Sequence, residues 1–177
     1  MRTSILVLGL VFSFQAKATF LPESALRMAT PAVGASNMTE ADFHGVISRI
    51  QNAYSGIATA HGGKLSITGS WTNDKLNAGA AQMFGNWQVQ ITGGLARRPE
   101  LTSDGFTLIL CHELGHHLAG FPFAKSGGPM GGVWAAVEGE ADYFATQACA
   151  RKLWGAEIAI NEGFRQTATA SAKQECD

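Results

Sequence analysis

The sequence predicts an α+β fold in one domain. Two short segments alternate between apolar and polar residues, as half-buried strands do, and longer segments repeat apolar residues at helical spacing. The chain has 177 residues, 46% of them hydrophobic and 15% charged, which suits a chain with one hydrophobic core. A formal net charge of −1 without a basic cluster gives no electrostatic support for nucleic-acid binding.

The N-terminus has the pattern of a secretory signal peptide over residues 1–18. Arg2 precedes an apolar run at 5–14, and Ala16–Ala18 forms a small-x-small cleavage site. We therefore expect an exported protein, periplasmic or secreted. The apolar run is shorter than the roughly 20 residues that span a bilayer, so no stable membrane span is expected after cleavage.

The next segment, residues 19–38, is rich in Ala, Ser, Pro and Met and shows little periodicity. It is compatible with a flexible leader, a pro-segment or a packed N-terminal arm. The folded domain is predicted over 39–177, where helical spacing begins after Thr39, a good N-cap residue. The apolar positions of that first helix are Phe43, Val46, Ile47, Ile50 and Tyr54.

Two strands and three further helices complete the predicted elements. Residues 65–68 and 87–92 alternate as strands, whereas 69–86 contain Gly, Asn, Asp and Ala and are predicted to form a loop. Strand 87–92 is interpreted as a sheet edge to which an extended substrate adds, with an ordinary interior strand as the alternative. Helices are predicted at 103–119, at 133–153 and in the tail, 156–177. The Gly-rich loop 121–132 is expected to shape a pocket wall.

The second predicted helix, 103–119, carries an H-E-x-x-H motif. His112 and His116 are four residues apart, so both imidazoles lie on one helix face and can bind a single Zn²⁺. Glu113, next to the first histidine, is placed to reach a water molecule on the same metal rather than to bind the metal itself.

A catalytic zinc site requires three protein ligands and one open position. Glu138 is the predicted third ligand, and Asp142, four residues later on the same face, is predicted to accept a hydrogen bond from the far ring nitrogen of a ligand histidine. Glu140 is the alternative ligand. These residues are interpreted as a site for one zinc ion, because carboxylates on an otherwise apolar helix need partners.

The remaining histidines and the cysteines have other expected roles. His117 points about 100° away from His116 and is expected to be a hydrogen-bonding or surface residue. His44 and His61 have no ligand spacing and are interpreted as structural. Cys111, Cys149 and Cys176 allow three single pairings, with three buried thiols as the alternative. In an exported protein the favoured pair is Cys111–Cys149, because it would join the two metal-binding helices.

Four stretches together resemble the gluzincin peptidases, specifically the family of CaaX-prenyl proteases, HtpX-type proteases and minigluzincins. The H-E-x-x-H helix and the E-x-x-A-D of Glu138–Asp142 are specific in combination, whereas Asn77–Ala78 and Val89–Leu95 are weaker matches. The resemblance implies a zincin-like fold: a small, mostly antiparallel sheet with an edge strand over an active-site helix, followed by a glutamate helix. It covers a little under half of the chain.

The resemblance also implies a function, zinc-dependent hydrolysis of peptide or protein substrates with Glu113 as general base. Trp134 and Ala135 stand where the family usually has Ser-Arg, so contacts made by that arginine are not expected here. Tyr143 and Arg165 are weak candidates for a second oxyanion donor. Two alternatives remain: a non-catalytic zinc-binding module, and a zinc hydrolase of cell-wall peptide amides. The oligomeric state is not predicted.

Overall fold

The computed structural model describes residues 26–30, 36–124 and 133–167. The predicted signal peptide, most of residues 19–38 and positions 125–132 of the predicted pocket loop lie outside the described residues. The described part has an α+β architecture in which helices pack on a three-stranded sheet. No described helix combines the length and the apolarity needed to cross a membrane.

Helix α1, Glu40–Ala60, begins at a capping box formed by Thr39 and Asp42. The amide of Asp42 donates to Oγ1 of Thr39 over 3.2 Å, and the amide of Thr39 donates to Oδ2 of Asp42 over 2.9 Å. Four of the five predicted apolar positions are buried, and the fifth, Val46, packs against the core at partial burial. The helix therefore forms as its periodicity predicts.

The sheet contains β1 (Lys64–Ser70), β2 (Ala78–Met83) and β3 (Asn86–Thr92) in the order β1-β3-β2. Strand β3 is parallel to β1 and antiparallel to β2, so the sheet is mixed, and only one of its two pairings is antiparallel as expected. The interpretation of 87–92 as a sheet edge is wrong, because this strand lies in the centre. The strand β2 that forms one edge falls inside the predicted 69–86 loop.

The composition of β2 explains why the sequence predicts a loop there instead of a strand. Its sequence Ala-Gly-Ala-Ala-Gln-Met has no β-branched or aromatic residue and little contrast between its two faces. Pairing with the well-patterned β3 determines its conformation instead. Only Ala80 in the middle of the strand is fully buried, opposite Val89 of β3.

The helices that follow the sheet are α2 (Gly93–Ala96), α3 (Ser103–Leu118) and α4 (Glu138–Tyr143). Helix α4 continues through a π-helical turn, Phe144–Cys149, into α5 (Ala150–Trp154), and α6 spans Ile158–Thr167. The prediction for α3 is confirmed to within one residue, and a helix is present in the predicted helical tail. The predicted start of the glutamate helix at 133 is five residues too early.

Residues 133–137 are extended because their backbone groups are used elsewhere. The amide of Ala136 donates to the carbonyl of His116 over 2.9 Å, and the amide of Val137 donates to the carbonyl of Pro122 over 2.9 Å. Ala136 also forms a β-bridge with Phe123. The carbonyl of His116 belongs to the last turn of α3, where helical partners are missing, so this bond satisfies a group that would otherwise be unpaired.

The hydrophobic core lies between the sheet and the helices α1 and α3. Alternate residues of β1 and β3 face it in register, with Leu65 opposite Trp87 and Ile67 opposite Val89. The largest side chains that are fully buried are Phe43, Phe106, Ile50, Leu110 and Leu114. Helix α3 is therefore held by the core on one face while another face remains available for a site.

A short N-terminal segment, Leu26–Met28, packs against the chain just before β2. Arg27 bridges Lys75 in antiparallel register, and the buried Arg97 donates from Nε and Nη2 to the carbonyl of Met28 over 3.0 and 2.7 Å. Arg97 also donates to the carbonyl of Trp71 over 2.6 Å. Burial lowers the pKa of Arg97, and these carbonyl oxygens compensate for the lost water.

Candidate metal centre

Three potential ligand side chains converge at the seam between α3 and α4. The donor atoms of His112, His116 and Glu138 all lie within 4.8 Å of one another. Oε2 of Glu138 is 2.9 Å from Nε2 of His112 and 3.8 Å from Nε2 of His116. Ligand atoms bound to zinc at 2.0–2.2 Å lie roughly 3.5 Å apart in a tetrahedral site, so this donor set fits a metal ion of that kind.

Helix α3 presents the two imidazoles in the way their spacing predicts. Their ring centroids are 4.9 Å apart and the ring planes are nearly perpendicular, at 88°. The His116 side chain is buried, whereas His112 retains 21% of its exposure and Glu138 retains 51%. The cluster thus opens to solvent on the side of His112 and Glu138, where an exchangeable ligand would have access.

The far ring nitrogen of each histidine has its own partner. Nδ1 of His112 lies 2.8 Å from Oδ1 of Asp142, and Nδ1 of His116 lies 2.9 Å from the carbonyl of Ala136. A hydrogen on Nδ1 satisfies both acceptors and leaves the Nε2 lone pairs directed toward Glu138. Asp142 therefore lies where the sequence predicts an acceptor, while the Ala136 carbonyl is a partner that side-chain patterns do not reveal.

The two helices approach closely at Gly115. A Cβ built on this glycine would lie 2.8 Å from Cα and 2.9 Å from the carbonyl oxygen of Ala141, which is closer than real side chains come. The absence of a side chain at Gly115 lets α4 come near enough to bring its carboxylate to the imidazoles. A lone glycine inside a helical pattern was the available sequence signal for this role.

The disulfide Cys111–Cys149 joins α3 to the π-helical turn after α4. Both cysteines are completely buried, and their Cα atoms are 5.9 Å apart. The predicted pairing is confirmed, and Cys176 lies outside the described residues. The covalent bond sits directly before His112, so it restrains the same pair of helices that supply the candidate ligands.

Glu113 is buried beside the cluster, with 9% of its surface exposed. Burial raises the pKa of its carboxyl to about 7; the nearby His112 opposes this shift and the Glu138 carboxylate adds to it. A carboxyl with a pKa near neutrality can both accept and release a proton, as general acid–base chemistry requires.

His117 is enclosed between two tryptophans rather than directed at the cluster. Its ring stacks on Trp87 with centroids 5.3 Å apart and on Trp134 with centroids 4.8 Å apart. Nε2 donates to the carbonyl of Gln88 over 3.3 Å, and burial lowers the pKa of the imidazole to about 4. The structure thus places this residue as a neutral, partly buried, hydrogen-bonding histidine between two aromatic rings.

Other candidate residues lie away from the three-residue group. Within the described residues, Glu140 is not among the side chains that could share a metal with the two imidazoles. His44 lies on the exposed face of α1, 3.9 Å from Glu40, and His61 follows the last residue of that helix. Tyr143 is 66% exposed, and the Arg165 side chain lies outside the described part of the chain.

No protein-family model, curated protein or solved structure matches the chain. The candidate site is therefore defined by its own geometry and chemistry.

Proposed function

We propose that the protein is an exported zinc-dependent endopeptidase. The observation that carries this proposal is the convergence of two imidazoles and one carboxylate from adjacent helices, next to a buried second carboxylate at Glu113. A structural zinc site has no use for that second carboxylate, whereas metal-assisted hydrolysis requires a base. The Cys111–Cys149 disulfide supports an oxidising compartment.

The proposed ligands are His112, His116 and Glu138. Two nitrogens and one oxygen suit zinc better than magnesium or calcium, which prefer oxygen ligands alone. When bound, zinc supplies a Lewis acid and lowers the pKa of coordinated water toward about 7. The chain itself orients the two rings through Asp142 and the Ala136 carbonyl, so that the ligands need little rearrangement.

Glu113 is proposed to move the proton. Its carboxylate takes a proton from the attacking water and then delivers it to the amine of the departing half of the substrate. Burial keeps the basicity of this group high enough to accept that proton near neutral pH. The same side chain therefore serves as base and then as acid within one turnover.

An extended peptide is the proposed substrate because a free strand edge packs on the helix of the site. Strand β2 packs on α3, and within the described residues no strand pairs with its outer side. The amide of Thr92 donates to the carbonyl of Asn77, so in antiparallel alternation Ala78, Ala80 and Gln82 direct their backbone groups outward. A substrate adding there would extend the sheet.

The experiment combines metal analysis with proteolysis. We expect the wild-type protein to bind one equivalent of zinc and to cleave casein or a peptide library, with both properties lost after chelation. Glu113→Gln should retain zinc but lose activity by a factor of about 10² or more. Glu140→Gln is the matched control on the neighbouring helix and should behave as wild type.

Two outcomes would reject the proposed activity, and a third would change the assignment of the third ligand. Zinc binding without hydrolysis of any peptide would instead favour a non-catalytic module. Hydrolysis restricted to amides of cell-wall peptides would favour the other alternative. Loss of zinc in Glu140→Gln with retention in Glu138→Gln would replace the proposed third ligand.

A further inference from the structure

The extended segment 133–137 contacts the last turn of α3 through two alternate residues. The ring of Trp134 stacks on His117, with centroids 4.8 Å apart and ring planes 20° apart. Ala136, two residues later, forms hydrogen bonds with His116. Because successive residues of an extended chain point to opposite sides, these two residues share the side that faces α3. The segment is thus fixed to α3 just before the helix that carries the third candidate ligand begins.

Ala136 bonds to His116 through both of its backbone polar groups. Its amide donates to the carbonyl of His116 over 2.9 Å, and its own carbonyl lies 2.9 Å from Nδ1 of the same residue. A hydrogen on Nδ1 leaves the lone pair of Nε2 available for a metal. The position of one backbone carbonyl therefore determines the tautomer and the orientation of the more deeply buried candidate ligand.

Pairing with residues 122–124 does not by itself hold this segment against α3. The two short segments are joined by the bridge between Phe123 and Ala136. Residues 122–124, however, follow α3 through Gly120, whose φ of +85° is a conformation that glycine adopts without steric cost. The paired segments can therefore rotate together about this glycine unless a direct contact with α3 holds them in place.

The stack around His117 supplies such a contact. On one side of the imidazole lies the half-buried Trp134, and on the other lies Trp87 of β3, with centroids 5.3 Å apart and ring planes 4° apart. Trp87 is buried in the core between sheet and helices. The stack therefore connects the extended segment to both α3 and the sheet.

Hydrogen bonding contributes little to the position of His117. Its Nδ1 is buried and has no hydrogen-bond partner among the described residues, and its Nε2 makes one bond of 3.3 Å to the carbonyl of Gln88. A buried polar atom without a partner lowers stability, so this arrangement calls for a compensating contact. The two indole rings are that contact.

We propose that Trp134 is a positioning residue for the metal centre. By stacking on His117, it holds the segment against α3 and so keeps the Ala136 carbonyl at Nδ1 of the candidate ligand. The proposal rests on the proposed function, because it takes His116 as a metal ligand. Without the stack, the ring would lose its Nδ1 partner, and the tautomer with its hydrogen on Nε2 would become populated. That tautomer cannot offer Nε2 to a metal.

Zinc affinity, measured by competition with a chromophoric chelator, tests this role in three variants. Trp134→Ala should lower the affinity about tenfold, as is usual when the partner behind a ligand histidine is lost. Trp134→Phe keeps a stacking ring and should stay within about threefold of the wild type. Trp71→Ala is the matched control and should bind zinc as the wild type does.

Trp71 suits this purpose because it is likewise half-buried and packs against Phe43. It follows the last residue of β1, whereas Trp87 lies opposite Leu65 near the first. Its loss should therefore lower stability without reaching the metal centre. Equal losses of zinc affinity in Trp71→Ala and Trp134→Ala would overturn the proposal, because they would show only a general loss of packing.

The tautomer of His116 in the metal-free protein gives a readout that needs neither zinc nor catalysis. Imidazole nitrogen chemical shifts, measured at one pH at which the ring is neutral, distinguish a hydrogen on Nδ1 from one on Nε2. We expect the Nδ1–H form to prevail in the wild type, Trp134→Phe and Trp71→Ala, and the Nε2–H population to rise at least about fivefold in Trp134→Ala. An unchanged tautomer in Trp134→Ala would overturn the proposal.

Two substitutions at His117 test the other partner of the stack and decide the matter if Trp134→Ala does not fold. His117→Phe keeps a ring, whereas His117→Gln keeps a donor for the Gln88 carbonyl but has no ring. We expect His117→Phe to resemble the wild type in zinc affinity and in the tautomer of His116, and His117→Gln to show the losses described for Trp134→Ala. The reverse order would assign the role to the hydrogen bond and overturn the proposal.

The positioning role and the proposed function can fail separately. If the wild-type protein binds no zinc or hydrolyses no peptide, the proposed function fails, and the tautomer of His116 still decides whether Trp134 positions this ring. If Trp134→Ala matches the wild type in tautomer, zinc affinity and hydrolysis, the positioning role fails and the proposed function stands.

Discussion

The seam between α3 and α4 and the outer edge of β2 are held in place by different kinds of contact. At the seam, side chains form a disulfide and an Asp142–His112 hydrogen bond, and the absence of a side chain at Gly115 lets the two helices approach closely. At the edge, the N-terminal segment is held mainly through backbone carbonyls gathered around the buried Arg97.

This difference determines which of the two regions can be predicted from the sequence. Side chains that meet on helices leave a periodic pattern, because a spacing of four residues already fixes a common face. Carbonyl oxygens are present at every residue and leave no pattern. Substitution of specific side chains should therefore destabilise the seam, whereas the N-terminal segment at the edge should depend mainly on the guanidinium of Arg97.

Removing the disulfide should have the largest effect on stability. The bond closes a loop of 38 residues, which corresponds to about 4 kcal/mol of unfolding free energy. The double variant Cys111→Ala/Cys149→Ala should lose that amount in urea denaturation and become insensitive to reductant. Cys176→Ala is the control and should unfold as wild type. A wild-type protein that is indifferent to reductant would contradict the prediction.

Arg97→Leu should be the most damaging single change at the edge. It leaves the carbonyls of Met28 and Trp71 without their donor, at an expected cost of about 3 kcal/mol. Arg98→Leu removes only a partly exposed ion pair with Glu100 and should change stability by less than about 1 kcal/mol. Thermal unfolding of the two variants measures the difference, and equal losses would mean that Arg97 has no special role.

Gly115→Ala should disturb the seam without touching a ligand. The new methyl group must push Ala141 away, which we expect to cost about 2 kcal/mol and to weaken zinc binding at least about tenfold. Gly139→Ala lies in open space and should leave stability unchanged or raise it by up to about 1 kcal/mol. Competition with a zinc-binding dye measures both affinities. Equal zinc affinities of the two variants would show that Gly115 does not contribute to the site.

Asp142→Asn should change the stability of the protein least but should lower its zinc affinity measurably. The amide can still accept from Nδ1 of His112 but no longer carries the negative charge of the carboxylate. We expect zinc affinity to fall about 10- to 100-fold while the melting temperature of the metal-free protein changes little. Glu140→Gln, two residues away on the same helix and outside the cluster, should bind zinc as wild type.

The sequence predicts the candidate site more accurately than the sheet. The spacing of His112 and His116 places both imidazoles on one face of the helix over Ser103–Leu118, whose N-cap at Thr102 indicates its start. The approach of Glu138 depends in addition on the contact between the helices at Gly115. Strand β2 was not predicted because its alanines and glycine do not alternate between apolar and polar residues. The segment 133–137 has helical composition but is extended because its amides bond to Pro122 and His116.

The stacking of His117 between Trp87 and Trp134 has a practical consequence. Two of the four tryptophans lie against a residue that directly follows His116, at the end of the helix that bears both imidazoles. Their fluorescence should therefore respond to any displacement of that helix end, and emission intensity would test metal binding at the candidate site without label or substrate.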